Sequence, residues 1–308
     1  MTLTQNLNLS SVGCQLDTSA EAFGELRDSS YLAGDGDSLR TRMAEDGYLF
    51  LRGYFEREDV LAARGEIVRR LAAEGVLEPG TAPMDAILAK GRHNSFRPDL
   101  TEQNAPLQRL LYTGRMMEFY ECFFDEPVRH FDFTWLRAMP PGHGSHPHCD
   151  VVYMGRGTRE KLLTAWTPLG DASVELGGLM ILEGSHLQHE RLRHYLERDV
   201  DTYCTNGPNA ADIESGKKNW EWGGVLAKNP ASLRQKLGGR WLTTNFEAGD
   251  LLTFTMHTVH ASLDNSTADR MRFSSDSRYQ PASLPADERW IGANPIAHGR
   301  AGKRGRIC

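Results

Sequence analysis

The sequence predicts a mainly β protein with flanking helices: a double-stranded β-helix, or jelly roll, with an N-terminal helical layer and one long insertion. Three observations predict it. From Pro127 onward the chain breaks into short aliphatic and aromatic runs punctuated by glycine, the texture of a β-sandwich rather than a parallel α/β sheet. Ahead of that point, two stretches carry apolar residues at helical spacing. Within the β region the charged stretch 187–239 is too long for a hairpin loop.

Taken in order, the first 45 or so residues are polar, rich in Ser, Asp and Gly, and read as a loosely attached arm ending in a short helix. Residues 48–55 (YLFLRGYF) read as a strand. Residues 58–73 read as a helix with Val60, Leu61, Ile67, Val68 and Leu71 on its apolar face. Residues 106–124 read as a second, carrying Leu107, Leu110, Leu111, Met117, Tyr120 and Phe124. Strands are expected at 128–139, 148–154, 162–169, 178–182, 241–246, 251–263 and 271–279. The whole of 1–308 is expected to be one domain: arm 1–45, helices plus β core 46–280 with the insertion 187–239, and tail 281–308.

Composition bounds the function. With 308 residues, 40% hydrophobic and 25% charged, the chain has the balance of a soluble globular protein that buries a core without staples. No run approaches the roughly 18 apolar residues that span a bilayer. The polar first ten residues lack the apolar region of a signal peptide. A cytoplasmic protein with no membrane partner is expected. The formal charge of −6 argues against nucleic acid, whose phosphates need a basic face. The basic cluster at 300–306 reads as a solvated, flexible terminus. Five scattered cysteines with no C-x-x-C pair suggest neither a disulfide framework nor a cysteine zinc site.

The chemistry concentrates in residues 146–153, HPHCDVVY. On a strand, residues two apart share a face, so His148 and Asp150 would present an imidazole and a carboxylate to one point while Cys149 turns away. Two histidines and one carboxylate with open positions form the facial arrangement of non-haem iron oxygenases. The second histidine must come from a distant strand. GDLLTFTMHTVHASLDNS offers His257 and His260, and composition does not choose between them.

The block around them resembles the phytanoyl-CoA dioxygenase family of iron(II)- and 2-oxoglutarate-dependent oxygenases. There a Gly-Asp turn precedes a strand ending in H-x-S-x-x-N, with an arginine roughly a dozen residues further on. Gly249-Asp250, then His260-Ala261-Ser262-Leu263-Asp264-Asn265, then Arg272 stand in that order, so the resemblance selects His260. Trp166, Gly177-Gly178-Leu179 and Glu183-Gly184-Ser185-His186 look like further family features. Glu183 stands where proline is usual, and Cys149 where glutamine is common.

The resemblance implies iron(II) and 2-oxoglutarate as cofactors, His148, Asp150 and His260 as metal ligands, and no catalytic residue beyond them. It gives Arg272 to the far carboxylate of 2-oxoglutarate, Ser262 as a hydroxyl donor nearby, and Trp166 to the pocket wall. Arginine suits the role because its planar fork donates two parallel hydrogen bonds and stays charged when desolvated. Arg270 would share a strand face with Arg272. Tyr279, seven residues after Arg272 as in the family pattern, favours Arg272. The implied reaction oxidises a C–H bond of a small metabolite or natural-product intermediate with O2, releasing succinate and CO2. A carboxylate ligand favours hydroxylation over halogenation, and neither the substrate nor a choice among hydroxylation, desaturation and cyclisation is specified.

On the substrate side the candidates are Arg137, Tyr153, and Trp220 and Trp222 of NWEWGG. The insertion is expected to form a lid with Gly223-Gly224 as its hinge. Two other readings remain: a metal-dependent β-helix isomerase, lyase or dioxygenase without 2-oxoglutarate, and a non-catalytic β-sandwich binding module. The first has no need of Arg272 and Ser262 at this spacing, and the second makes the histidines structural.

Overall fold

The structure is a computed structural model describing residues 8–93, 95–218 and 222–308. Its N-terminal segment is tied down rather than loose. A hairpin of β1 (Ser10–Ser11) and β2 (Cys14–Gln15) is held by Asp264, whose carboxylate accepts from Ser10 Oγ and the Val12 and Gly13 amides at 2.7, 2.7 and 2.9 Å. β3 (Phe23–Glu25) joins a sheet, and α1 (Gly36–Asp46), capped by Asp35 on the Ser38 amide, leads into β4 (Tyr48–Leu51). Several of the polar residues that suggested looseness are the ones making these turns and caps.

α2 (Arg57–Ala73) buries Val60, Ala63, Ile67, Val68 and Leu71. The helix expected over 106–124 is instead two, α3 (Ala105–Tyr112) and α4 (Arg115–Phe124). Gly114, at φ 52° and ψ −132°, takes a conformation closed to other residues and breaks the helix. The break lets Leu111, Phe119 and Tyr120 press on one core.

The β region follows with β5 (Val128–His130), β6 (Trp135–Met139), a short helix α5 (Val151–Met154), β7 (Leu163–Pro168) and β8 (Leu179–Leu182). The insertion supplies α6 (His189–Leu196), β9 (Thr202–Cys204), α7 (Ala210–Glu214) and α8 (Pro230–Leu237). β10 (Trp241–Thr243), β11 (Leu251–Thr255), β12 (His260–Ser262), β13 (Arg272–Pro281) and β14 (Arg304–Arg306) complete the chain. Three expectations change. Residues 128–139 are two strands, 148–154 is a bridge followed by a helix, and 251–263 is two strands that enter different sheets.

The larger sheet runs β4-β11-β7-β13-β5, with β6 also pairing β13, and the smaller runs β12-β8-β10-β3. Phe50, Trp166 and Phe254 of the first meet Leu179, Ile181 and Leu242 of the second in a shared core. Successive strand residues face opposite sides, so β13 divides its side chains. Phe273 and Tyr279 join α2, α3 and α4 on the outer face, while Arg272, Asp276 and Arg278 face between the sheets. β7 does the same, with Leu163 and Ala165 outward, Thr164 and Trp166 inward. This is the jelly roll with a helical layer on one sheet.

The C-terminal segment is also docked. β14 pairs in parallel with β9, and Cys308 is disulfide-bonded to Cys204. Buried Asp201 gathers Arg289, Lys303 and His298 at 2.5, 2.5 and 2.9 Å. The expected flexible tail is thus a strap, and the cysteine pair, 104 residues apart, gave no spacing signal. Among the described residues no helix is long and apolar enough to cross a membrane.

Candidate metal centre

His148 and His260 meet through their backbones. Each amide donates to the other's carbonyl at 3.0 Å, the doubly bonded antiparallel pair that sets two side chains abreast. Their imidazoles lie 4.2 Å apart between ring centres. Nδ1 of His148 is 2.7 Å from the His146 carbonyl and Nδ1 of His260 is 3.1 Å from the Thr258 carbonyl, which fixes each ring with Nε2 inward. Asp150 does not arrive by strand alternation. The backbone turns helical at Asp150, the N-cap residue just before α5, and this turn swings its Oδ1 to 3.8 Å from His148 Nε2 and 3.7 Å from His260 Nε2. The other carboxylate oxygen is held by the larger sheet: Thr164 Oγ1 donates at 2.6 Å and Arg278 Nη2 at 2.8 Å. One ligand atom from each of the three residues lies within 4.8 Å of the others, the donor set of a two-histidine, one-carboxylate site.

The electrostatics suit a cation. Burial, aided by the neighbouring His260, pushes His148 down to about 3, and burial lowers His260 as well, so both imidazoles are neutral donors near pH 7. Burial alone would raise the Asp150 carboxyl. Arg278 and the two imidazoles outweigh it and hold the group well below the usual carboxylate range. Cys149 turns away, its thiol against the His257 carbonyl. His257 lies outside the cluster, its ring tilted against that of His189 at 4.8 Å.

A narrow inner cavity continues from the metal residues between the sheets, lined by Arg272, Ser262 and Trp166 among others. Arg272 is 2% exposed, gives Nη1 to Ser274 Oγ at 2.6 Å, and leaves Nε with no hydrogen-bond partner among the described residues. Burial lowers it to about 10, so it stays charged at neutral pH. Its guanidinium lies 5.8 Å from the Trp166 ring. Ser262 Oγ accepts the Ser145 amide at 2.7 Å, which leaves its own proton to donate. Arg270 is exposed just before the strand; its carbonyl, taken by Asn265 Nδ2 at 2.6 Å, pins the turn into β13. The Gly249-Asp250 pair is also a joint: Asp250 binds Arg52 at 2.7 Å and the Gly53 amide at 2.9 Å.

A second cavity of about 590 Å3 opens on the other side of His148 and Asp150. Arg137 and Tyr153 line it, Arg137 also reaching the inner one, where it pairs with Asp276 at 3.1 Å. Trp222 does not line it. Its ring packs edge-on against Tyr195 at 5.5 Å with Arg198 over its face at 3.5 Å. Trp220 lies outside the described residues. The insertion reaches the cavity through Gly223 and Val225. The expected hinge is a fixed packing point: the Gly223 carbonyl accepts from Tyr153, the Gly224 carbonyl accepts from Tyr195, and a side chain at Gly224 (φ 76°) would overlap the Tyr153 ring.

Sequence reasoning missed Arg278, although its even spacing from Arg272 on one strand is a readable signal for a shared face. It also missed Trp290 and His298, which line the outer cavity from the strap and carry no motif.

The model of the phytanoyl-CoA dioxygenase family matches residues 43–274. A 1-deoxypentalenic acid 11-beta-hydroxylase of Streptomyces arenae is 26% identical over 274 residues, covering 85% of this chain and 87% of that protein. Among solved structures, the epimerase SnoN in complex with Fe3+, alpha ketoglutarate and nogalamycin RO is 22% identical with a TM-score of 0.53, covering 85% of this chain and 93% of that one. EctD from S. alaskensis, in its apoform, is 16% identical with a TM-score of 0.55, covering 99% of both chains. At these identities the structural likenesses establish the fold.

Proposed function

Because this chain belongs to the phytanoyl-CoA dioxygenase family, we propose that it is an iron(II)- and 2-oxoglutarate-dependent hydroxylase of a small molecule, acting as a single oxygenase domain with His148, Asp150 and His260 as metal ligands. One observation carries the assignment of residues: two neutral imidazoles and one ionised carboxylate converge with their other polar atoms already engaged. When bound, iron and 2-oxoglutarate supply the oxidising power, with O2 consumed, 2-oxoglutarate converted to succinate and CO2, and a substrate C–H converted to C–OH.

The chain's own residues bind and orient. Thr164 and Arg278 hold one oxygen of Asp150, so the other is presented at a fixed angle beside the two Nε2 atoms. Arg272 is the cation for the far carboxylate of 2-oxoglutarate; it is buried, charged and has an N–H with no partner among the described residues. Ser262 donates its hydroxyl there, and Trp166, wedged against Phe246 at 4.6 Å, closes the cavity to water. His148, 14% exposed, is the most solvent-accessible of the three, on the side that faces the outer cavity where substrate enters.

The test is an anaerobic titration of the whole chain with iron(II) and 2-oxoglutarate, followed by air and a succinate assay. Stoichiometric iron, 2-oxoglutarate binding that depends on it, and slow succinate release are expected. Iron binding without 2-oxoglutarate dependence would favour the β-helix enzymes that do not use it. Cell fractionation tests the proposed cytoplasmic setting.

A further inference from the structure

Two of the segments that wall the outer cavity are joined by a covalent bond. Ala297, His298 and Gly299 of the strap line the cavity, as do Gly223 and Val225 of the insertion. The Cys204–Cys308 disulfide links the same two segments, from the last residue of β9 in the insertion to Cys308 just past β14. The metal centre makes no use of this bond.

Packing holds the far end of the strap only weakly. From Ile291 to Cys308 only Gly302 is buried, and Ile307 is 85% exposed. The contacts of Asp201 with Arg289, His298 and Lys303 fasten the strap as far as residue 303. Beyond it, β14 and β9 form a two-stranded sheet of three residues a side, and such pairs are marginal in water by themselves. Arg304 pairs with Glu288 at 2.8 Å, but both are exposed, and exposed ion pairs contribute little. β14 also docks against like charge, since burial and then Arg306 push Arg198 below its ordinary range. The disulfide is therefore the firmest tie at this end, and it is within reach of solvent: Cys308 is exposed and Cys204 half-buried. Arg306 stands opposite Cys204 in the parallel register, and a neighbouring cation favours the thiolate that must leave when the bond is attacked.

We propose that Cys204 and Cys308 form a reversible thiol–disulfide latch, opened by small thiols, which sets how firmly the outer cavity is closed. A thiolate attacks Sγ of the exposed Cys308, the S–S bond breaks, and Cys204 leaves with the electron pair and takes a proton. A second thiol attacks the mixed disulfide and releases Cys308 as a thiol. Two electrons and two protons thus pass to the protein, and two thiols become one disulfide. In the cytoplasmic setting proposed above, disulfides are rare and those present are chiefly transient or redox-sensing. Opening removes an anchor from the thinly packed segment that carries residues 297–299, so that wall unfolds locally at lower cost. The inner cavity, built largely on β7, β12 and β13, keeps its walls.

The test equilibrates the full chain in glutathione buffers from reduced to oxidised, traps free thiols with N-ethylmaleimide under denaturing conditions, and locates them by mass spectrometry. Maleimide on Cys14, Cys122 and Cys149 alone is expected at the oxidised end, and on Cys204 and Cys308 as well at the reduced end. Amide hydrogen exchange then reads the strap. The Thr205 and Arg304 amides, which donate to the Arg306 and Asp201 carbonyls at 2.8 Å, should exchange faster on reduction. The expected change is about tenfold or more, a modest share of what a long-range cross-link contributes. Ala297 and Gly299 should quicken with them, and the amides of β7 and β13 should not. Cys308→Ser should exchange like the reduced wild-type chain in every buffer. A pair that never closes in the folded chain would overturn the proposal, as would one that opens only on unfolding, since the bond would then be a fixed staple. Opening that leaves Ala297 and Gly299 unchanged would overturn it too, because the latch would not reach the cavity. So would a glutathione effect that persists in Cys308→Ser, which assigns it to another cysteine. Should Cys308→Ser fail to fold, the oxidised and reduced wild-type chains decide alone.

Discussion

The inner and outer cavities share His148 and Asp150 but are built by different rules. The inner one is walled largely by strands: Arg272, Asp276 and Arg278 from β13, Trp166 from β7, Ser262 from β12. Each position follows from the two-residue repeat, and most of these side chains are polar or charged in a place where an apolar residue would pack at lower cost. The outer one is walled by pieces that meet only in the folded chain: Phe133 from a loop, Tyr153 from α5, Gly223 and Val225 from the insertion, Trp290 and His298 from the strap. A site on neighbouring strands leaves its register in the sequence. A site assembled by docking distant segments does not.

That difference is sharpest at the metal residues, where the largest effects are expected. His148→Ala, Asp150→Ala and His260→Ala should each abolish stoichiometric iron binding and detectable succinate, while His257→Ala keeps both. Calorimetric iron titration and a succinate assay on the four variants check it. Iron binding retained by His260→Ala and lost in a folded His257→Ala would reverse the choice made on H-x-S-x-x-N.

Arg272→Ala comes next. It should weaken 2-oxoglutarate binding by about 2–5 kcal/mol, the cost of truncating one side of a buried charged contact, with iron binding retained. Arg270→Ala, at an exposed position, should change it by no more than about 0.5 kcal/mol. Binding titrations of the two variants side by side make the test. The opposite ranking would mean that strand burial did not decide which arginine serves the site.

Much of the inner site was legible because type and spacing agree there. His148, Asp150, His260, Ser262 and Arg272 all stand in one cluster, yet strand alternation accounts for only one of the first two. His148 pairs as a strand residue should, but Asp150 reaches the same point from the N-cap of a helix. The helix break at Gly114 and the division of 251–263 between two sheets escaped because apolar spacing runs unbroken through both. Trp290, His298 and the Cys204–Cys308 pair were illegible because their meaning depends on contacts far away in sequence.

The strap that builds the outer wall offers a smaller effect. Burial would raise Asp201, but His298, Lys303 and Arg289 hold its carboxyl down at about 2. A folded value below the ordinary one contributes stability that is fully present above about pH 4 and is lost as pH falls through about 2. The contribution is about 2 kcal/mol at neutral pH. Asp201→Asn should therefore destabilise the strap at neutral pH and flatten the acid limb of its stability, read by amide hydrogen exchange over β14 and by near-ultraviolet dichroism of Trp290. An unchanged acid limb would separate the wall from its clasp.

The smallest effect belongs to Trp222, and it tests whether the insertion takes part in the chemistry. An aromatic residue in a long insertion beside an open site suggested a lid. Its neighbours say otherwise, since the ring is engaged by Tyr195 and lies beneath Arg198. Tyr195 in turn donates to the Gly224 carbonyl and accepts the Cys149 amide at 2.9 Å, next to both His148 and Asp150. Trp222 thus braces a brace, and its loss should be felt as stability. Trp222→Ala should lower stability by about 1 kcal/mol, the scale of one partly exposed cation–π contact with some lost packing, and leave succinate formation coupled to substrate as in the wild type. Chemical denaturation and a coupled product-to-succinate ratio measure the two separately. A folded Trp222→Ala chain that releases succinate without product would return the tryptophan to the substrate side, and the outer cavity would then be open to sequence reasoning after all.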